Sequence, residues 1–128
     1  MIQSTFKDKY PLYAYTLSKE TCTYKNVDEI IAYYQARIQA HPIATFIAVF
    51  DHYAHTQKLK GSIHPDIKDL KNIIFCFGAE IPTSKVAAIR PRSIGVCDMG
   101  DAFVIDFMEA PNDKANDFMV TWTKALSK

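Results

Sequence analysis

The sequence predicts an α+β domain, an antiparallel or mixed sheet with two main helices packed largely on one face. Three observations carry that expectation. Two segments, one beginning at Asn26 and one at Pro111, repeat apolar residues at helical spacing. Five others are short, apolar and rich in β-branched or aromatic residues, as strands are. The order in which they follow one another lacks the regular strand–helix–strand alternation of a parallel sheet.

The first strand is expected over Lys9 to Leu17, where Tyr10, Leu12, Tyr13, Tyr15 and Leu17 supply the aromatic enrichment and Pro11 marks an edge or entry point. A polar, turn-like stretch from Lys19 to Lys25 follows. Asn26 then offers an N-cap, with Asp28 and Glu29 in the positive first turn and Val27, Ile30, Ile31, Tyr34 and Ile38 on one face. His41-Pro42 ends this helix, because the residue before a proline is pushed out of the α region.

Ile43 to Phe50 is apolar at alternate positions on both faces: Ala44, Phe46, Ala48 and Phe50 on one, Ile43, Ile47 and Val49 on the other. This pattern predicts a central strand covered on both sides. His52 to Lys60 suits a short helix stopped at Gly61, and Pro65 to Leu70 suits a turn. Asn72 to Gly78 reads as a second doubly apolar strand, and Pro82 to Ile89 as a connection with room for a short helix. Ser93 to Cys97 and Ala102 to Met108 form a hairpin around Asp98-Met-Gly-Asp101. Ile94 and Val96 share a face with Phe103, Ile105 and Phe107, and Asp106 points the other way. The last helix starts at Pro111-Asn-Asp and carries the stripe Ala115, Phe118, Met119, Trp122 and Leu126. Two helices cover one face of such a sheet, so the second face requires irregular segments, a ligand or a partner subunit; a homodimer is the expected arrangement.

At 128 residues the chain is a single domain, 1–128, with enough length to bury roughly two-thirds of its unfolded surface. Its net charge of +1 gives no footprint for nucleic acid or an anionic membrane surface. No apolar run approaches a membrane span, and the N-terminal stretch lacks the core of a signal peptide. Three cysteines without a CxxC spacing suit free thiols in the cytoplasm; Cys76 and Cys97 read as core residues and Cys22, among polar neighbours, as an exposed one.

Two constellations bear on chemistry. Asp51, His52 and His55 gather a carboxylate and two imidazoles at a strand end, a partial ligand set for a metal and a candidate acid–base pair. The plainer reading is that Asp51 caps the next helix while His52 packs at the strand end. Lys85, Arg90 and Arg92 form the one basic concentration near strand ends and suit a small anionic ligand. The plainer reading there is solvated charge paired with Glu80, Asp98 or Asp106. No Walker loop, GxGxxG or GxSxG is present, and no cofactor is indicated. The sequence therefore favours a small binding or accessory module over an enzyme, the competing reading being an enzyme or metal-dependent protein built on Asp51 with His52 and His55.

The run Phe50-Asp-His-Tyr-Ala-His-Thr-Gln-Lys-Leu-Lys-Gly61, then Pro65, then Ile74-Phe-Cys-Phe-Gly-Ala-Glu-Ile-Pro-Thr83 and Pro91-Arg-Ser-Ile-Gly-Val96, resembles the bacterial domain-of-unknown-function 302 proteins. The matching positions are Asp51, His52, Gly61, Pro65, Phe77, Gly78, Pro82 and Pro91. The sequence departs from the pattern at Ala79-Glu-Ile81 and at Arg90-Pro91-Arg92. The resemblance implies an antiparallel sheet of the TATA-binding-protein type in a β-α-β(4)-α arrangement, often dimeric, with no established activity. Such a fold gives no licence for DNA binding.

Overall fold

A computed structural model describes all 128 residues. Its longest helix, α1 (Val27–Ala40), forms where the capping signal places it: the Asn26 side chain accepts the Glu29 N–H at 2.8 Å, and Val27, Ile30, Ile31, Tyr34 and Ile38 are all buried. The last helix, α4 (Asp113–Lys124), is capped by Asn112 and lies beside α1. Their contact is specific as well as apolar. Tyr33 donates its hydroxyl hydrogen to the Trp122 carbonyl at 2.6 Å, and Tyr34 shares a 2.7 Å hydrogen bond with Thr123. Burial pushes the Tyr34 phenol far above its ordinary range, so it stays neutral.

Both helices cover one face of a six-stranded sheet. Its strands are β1 (Ile2–Phe6), β2 (Tyr10–Ser18), β3 (Ala44–Phe50), β4 (Asp69–Phe77), β5 (Arg92–Asp98) and β6 (Ala102–Met108). Every pairing is antiparallel, in the order β1-β2-β6-β5-β4-β3. The register aligns Ile73 with Ile94 and Ile94 with Phe107, so the inner faces of three neighbouring strands meet α1 and α4 in a single core. Trp122 sits on this layer with its indole 5.7 Å from the Phe77 ring. Phe118, on the same stripe, lies at its margin and is exposed.

Four expectations are corrected. The strand read as central, β3, is an edge strand, and five of its seven residues are exposed. Its double apolarity reflects an alternation broken partway: the pairing with β4 shifts between Phe46 and Ala48, so Val49 returns to the inner face opposite Ile73 while Ala48 and Phe50 face outward. Second, β1 precedes the first expected strand, joined to β2 through Lys7 and Asp8, both at positive φ. With neither Gly nor Asn at those positions, the turn carries no local signature. Third, Cys22 is buried, paired through an isolated bridge with Ser127 near the C-terminus. Fourth, Cys76 is only half-buried, because it faces outward from β4.

The outer face is covered in part by the short α2 (His52–Lys58), which buries none of its own residues. The remaining helix, α3 (Val86–Ile89), is a single turn in the connection from β4 to β5. Around β1, β2 and β6 the outer face stays open, with Ile2, Phe6, Tyr10 and Met108 exposed on it. Asp106 stands on the same face with no hydrogen-bonding donor; crowding by its neighbours desolvates the carboxyl and raises its pKa.

Candidate functional site

At the first of the two candidate corners, each polar group already has work within the chain. Asp51 accepts the Ala54 N–H at 2.9 Å as the N-cap of α2, and its other oxygen lies 3.8 Å from the Lys71 ammonium, which also pairs with Asp28. His52 Nδ1 shares a 3.2 Å hydrogen bond with Asn72 Oδ1, and the His55 ring packs edge-on against Phe50 at 5.2 Å. No hydrogen bond joins Asp51 to His52, and no third His, Cys, Asp or Glu stands with the two imidazoles in a metal-binding group.

The second corner is concave. A cavity of about 520 Å³ opens at the ends of β4 and β6 and is bounded by the C-terminal end of α1, by α3 and by the start of α4. Its apolar wall is built by Ile43, Phe77, Ile89, Pro111 and Phe118. The Phe77 and Phe118 rings stack at 6.0 Å with planes 28° apart, and Trp122 backs both. His41 wedges edge-on into this group, 4.3 Å from Phe118. Its Nδ1 accepts the Ile43 N–H at 3.2 Å, which leaves the proton of the neutral ring on Nε2.

Arg90, Arg92 and Lys114 bring three cations to the lining, and no acidic side chain joins them. None of the three takes part in an ion pair. Arg90 donates to the Glu80 main-chain carbonyl at 2.7 Å, so the expected pairing with the Glu80 carboxylate is replaced by a backbone contact. Arg92 donates to the carbonyls of Ile89 and Met108, while its Nε is shut away from water without an acceptor. Burial pulls the Arg92 pKa below the usual guanidinium value. A half-buried cation held by carbonyl dipoles alone is under-compensated, and an anion in the cavity would correct that. Of the other two expected partners, Asp98 is taken by Lys19 at 2.8 Å and Asp106 takes part in no ion pair.

The backbone explains the concavity. Gly78 follows β4 at φ +96°, a backbone conformation that favours glycine, and a Cβ there would lie 2.7 Å from Arg90 Nη2, so a side chain would strain the turn and push the guanidinium aside. On the far side Asn116 is buried, accepting the Ala110 N–H at 2.7 Å and donating to the Ala110 carbonyl at 2.9 Å, which fixes the turn that carries Pro111. Of the residues singled out in the sequence, Arg90 and Arg92 therefore come together in the cavity, Lys85 is not in its lining, and Asp51, His52 and His55 lie at the other corner. His41, Phe118 and Lys114 are lining residues that the sequence does not single out: its pattern presents the first as a helix terminator and the second as core, and gives the third no role. A histidine at the end of one helix and an aromatic midway along the other are the available signal.

No helix is long and apolar enough to cross a membrane. No curated protein and no solved structure matches the chain. The resemblance to the 302 family, with the TATA-binding-type sheet it implies, is not confirmed, and what a family profile matches, over residues 1–128, is different: the chain belongs to a family of unknown function, DUF6858.

Proposed function

We propose that the protein is a cytoplasmic binding module, without catalytic activity of its own, that takes a small organic anion into the cavity between His41, Arg90, Arg92 and Phe118. The observation that carries this reading is the combination of three cations, no lining carboxylate and an apolar wall around about 520 Å³, a size within the range of small-molecule pockets. A thermal-shift panel of small carboxylates, sulfonates and phosphates tests it. A ligand present at a hundred times its dissociation constant adds about 2.7 kcal/mol, a rise of several degrees for a domain of this length. The reading requires that at least one anion raises the wild-type melting temperature and leaves Arg92→Met unmoved; equal shifts in both proteins, or none in either, would refute it.

The module acts as a homodimer joined through the outer face of β1, β2 and β6. Ile2, Phe6, Tyr10 and Met108 are exposed together there and none of them lines the cavity, which suits an apolar interface. A stable dimer needs about 1,200 Å² or more of buried surface in total. Light scattering at micromolar concentrations is expected to give twice the chain mass and to fall to the monomer for Phe6→Asp; a monomer in the wild type removes this part of the reading and leaves the pocket standing.

A further inference from the structure

We infer that the anion is a monocarboxylate carrying a flat apolar ring, an inference that rests on the anion-binding reading and narrows it. The wall argues for the ring. Phe77 and Phe118 present nearly parallel rings, Ile43 and Ile89 are 49% and 41% exposed where they border the cavity, and the His41 ring closes the group edge-on. An aromatic or similarly flat body lying on this surface removes apolar area from water on both sides and stacks in the offset geometry that aromatic pairs prefer.

The polar end argues for a carboxylate over a phosphate ester. Arg92 spends one N–H of each terminal nitrogen on a main-chain carbonyl and Arg90 spends one N–H, so each guanidinium keeps N–H groups on both terminal nitrogens, a planar fork that matches the two oxygens of a carboxylate. At the start of α4 the Lys114 ammonium reaches the lining, but the main-chain N–H groups that would cradle a phosphate are taken. Asn112 takes the Lys114 N–H with its side chain and the Ala115 and Asn116 N–H groups with its carbonyl, and Asp113 adds a negative charge to the first turn. The cavity therefore offers guanidinium forks and one ammonium without the main-chain cradle that phosphate sites use.

The chain contains one tryptophan, Trp122, stacked directly behind Phe77, so its fluorescence reports occupancy of the cavity. Four probes separate the alternatives when titrated by fluorescence and by calorimetry: phenylacetate, phenyl phosphate, succinate and 2-phenylethanol. Phenylacetate is expected to bind at least tenfold more tightly than each of the others. Phe118→Ala should weaken it severalfold and Arg92→Met at least tenfold, with Arg90→Met serving if Arg92→Met does not fold. If phenyl phosphate or succinate binds as tightly as phenylacetate, the ligand class is wrong and the anion-binding reading survives. Preference for 2-phenylethanol, or no saturable binding of any probe, overturns both.

Discussion

The two histidine-bearing corners of this molecule contain similar side chains and differ in what those side chains have left to do. Around α2, Asp51 is a helix cap, His52 is bonded to Asn72, His55 rests on Phe50, and the helix buries nothing. At the end of α1, His41 is wedged among aromatic rings beside two arginines that have no carboxylate partners. Reactive residue types in close sequence make the first corner conspicuous on paper. Concavity, apolar walls and uncompensated charge make the second one a site. Binding capacity resides in unsatisfied groups held by a rigid surround, and a short run of sequence does not record which groups are satisfied.

The largest expected effect measures that rigid surround. Trp122 is 8% exposed and packs against Phe75, Phe77 and Phe118, so Trp122→Ala should destabilise the protein by about 3–5 kcal/mol in urea unfolding. His55→Ala, on an exposed helix, should fall within about 0.5 kcal/mol of wild type. Comparable losses at the two positions would erase the contrast, because the α2 corner would then be as firmly built into the fold as the cavity.

Much of the fold was legible because it depends on local pattern. The Asn26 cap, the stripes of α1 and α4 and the Gly100 hairpin are each written within a dozen residues, and each is present. What escaped notice depends on distant partners. That β3 lies at an edge is decided by which strands find neighbours, and the shift at Ile47 interrupts an alternation that otherwise reads as continuous. Cys22 is buried by the C-terminal residues, which its own neighbours do not announce. The cavity was half legible: Arg90 and Arg92 stand out as a basic pair, while His41 and Phe118 become wall residues only when the end of α1 packs against the middle of α4.

An intermediate effect sharpens the reading of the α2 corner. If Asp51 is a cap, its role depends on a side-chain oxygen at the right place and not on a titrating carboxyl, so Asn should replace it and Ala should not. Asp51→Ala is expected to lose about 1 kcal/mol and Asp51→Asn only a few tenths, both read by urea unfolding. Equal losses would instead assign the stability to the charge on Asp51 facing Lys71, 3.8 Å away.

A small effect on stability, of either sign, is the most telling for the other corner. Arg92 carries a half-buried charge with no ion-pair partner, an arrangement that folding does not favour, and a methionine, which reaches as far as the Nε position, keeps the packing of the aliphatic stem while removing the charge. The two carbonyls it leaves behind, those of Ile89 and Met108, belong to exposed residues that water can reach. Without ligand, Arg92→Met should therefore unfold within about 1 kcal/mol of wild type, on either side. A loss of 3 kcal/mol or more would make Arg92 a clamp between the β6 end and α3, and the positive charge in the cavity a by-product of that clamp. Near-neutral stability together with lost anion binding would mean that the charge is retained against its own desolvation because something negative comes to meet it.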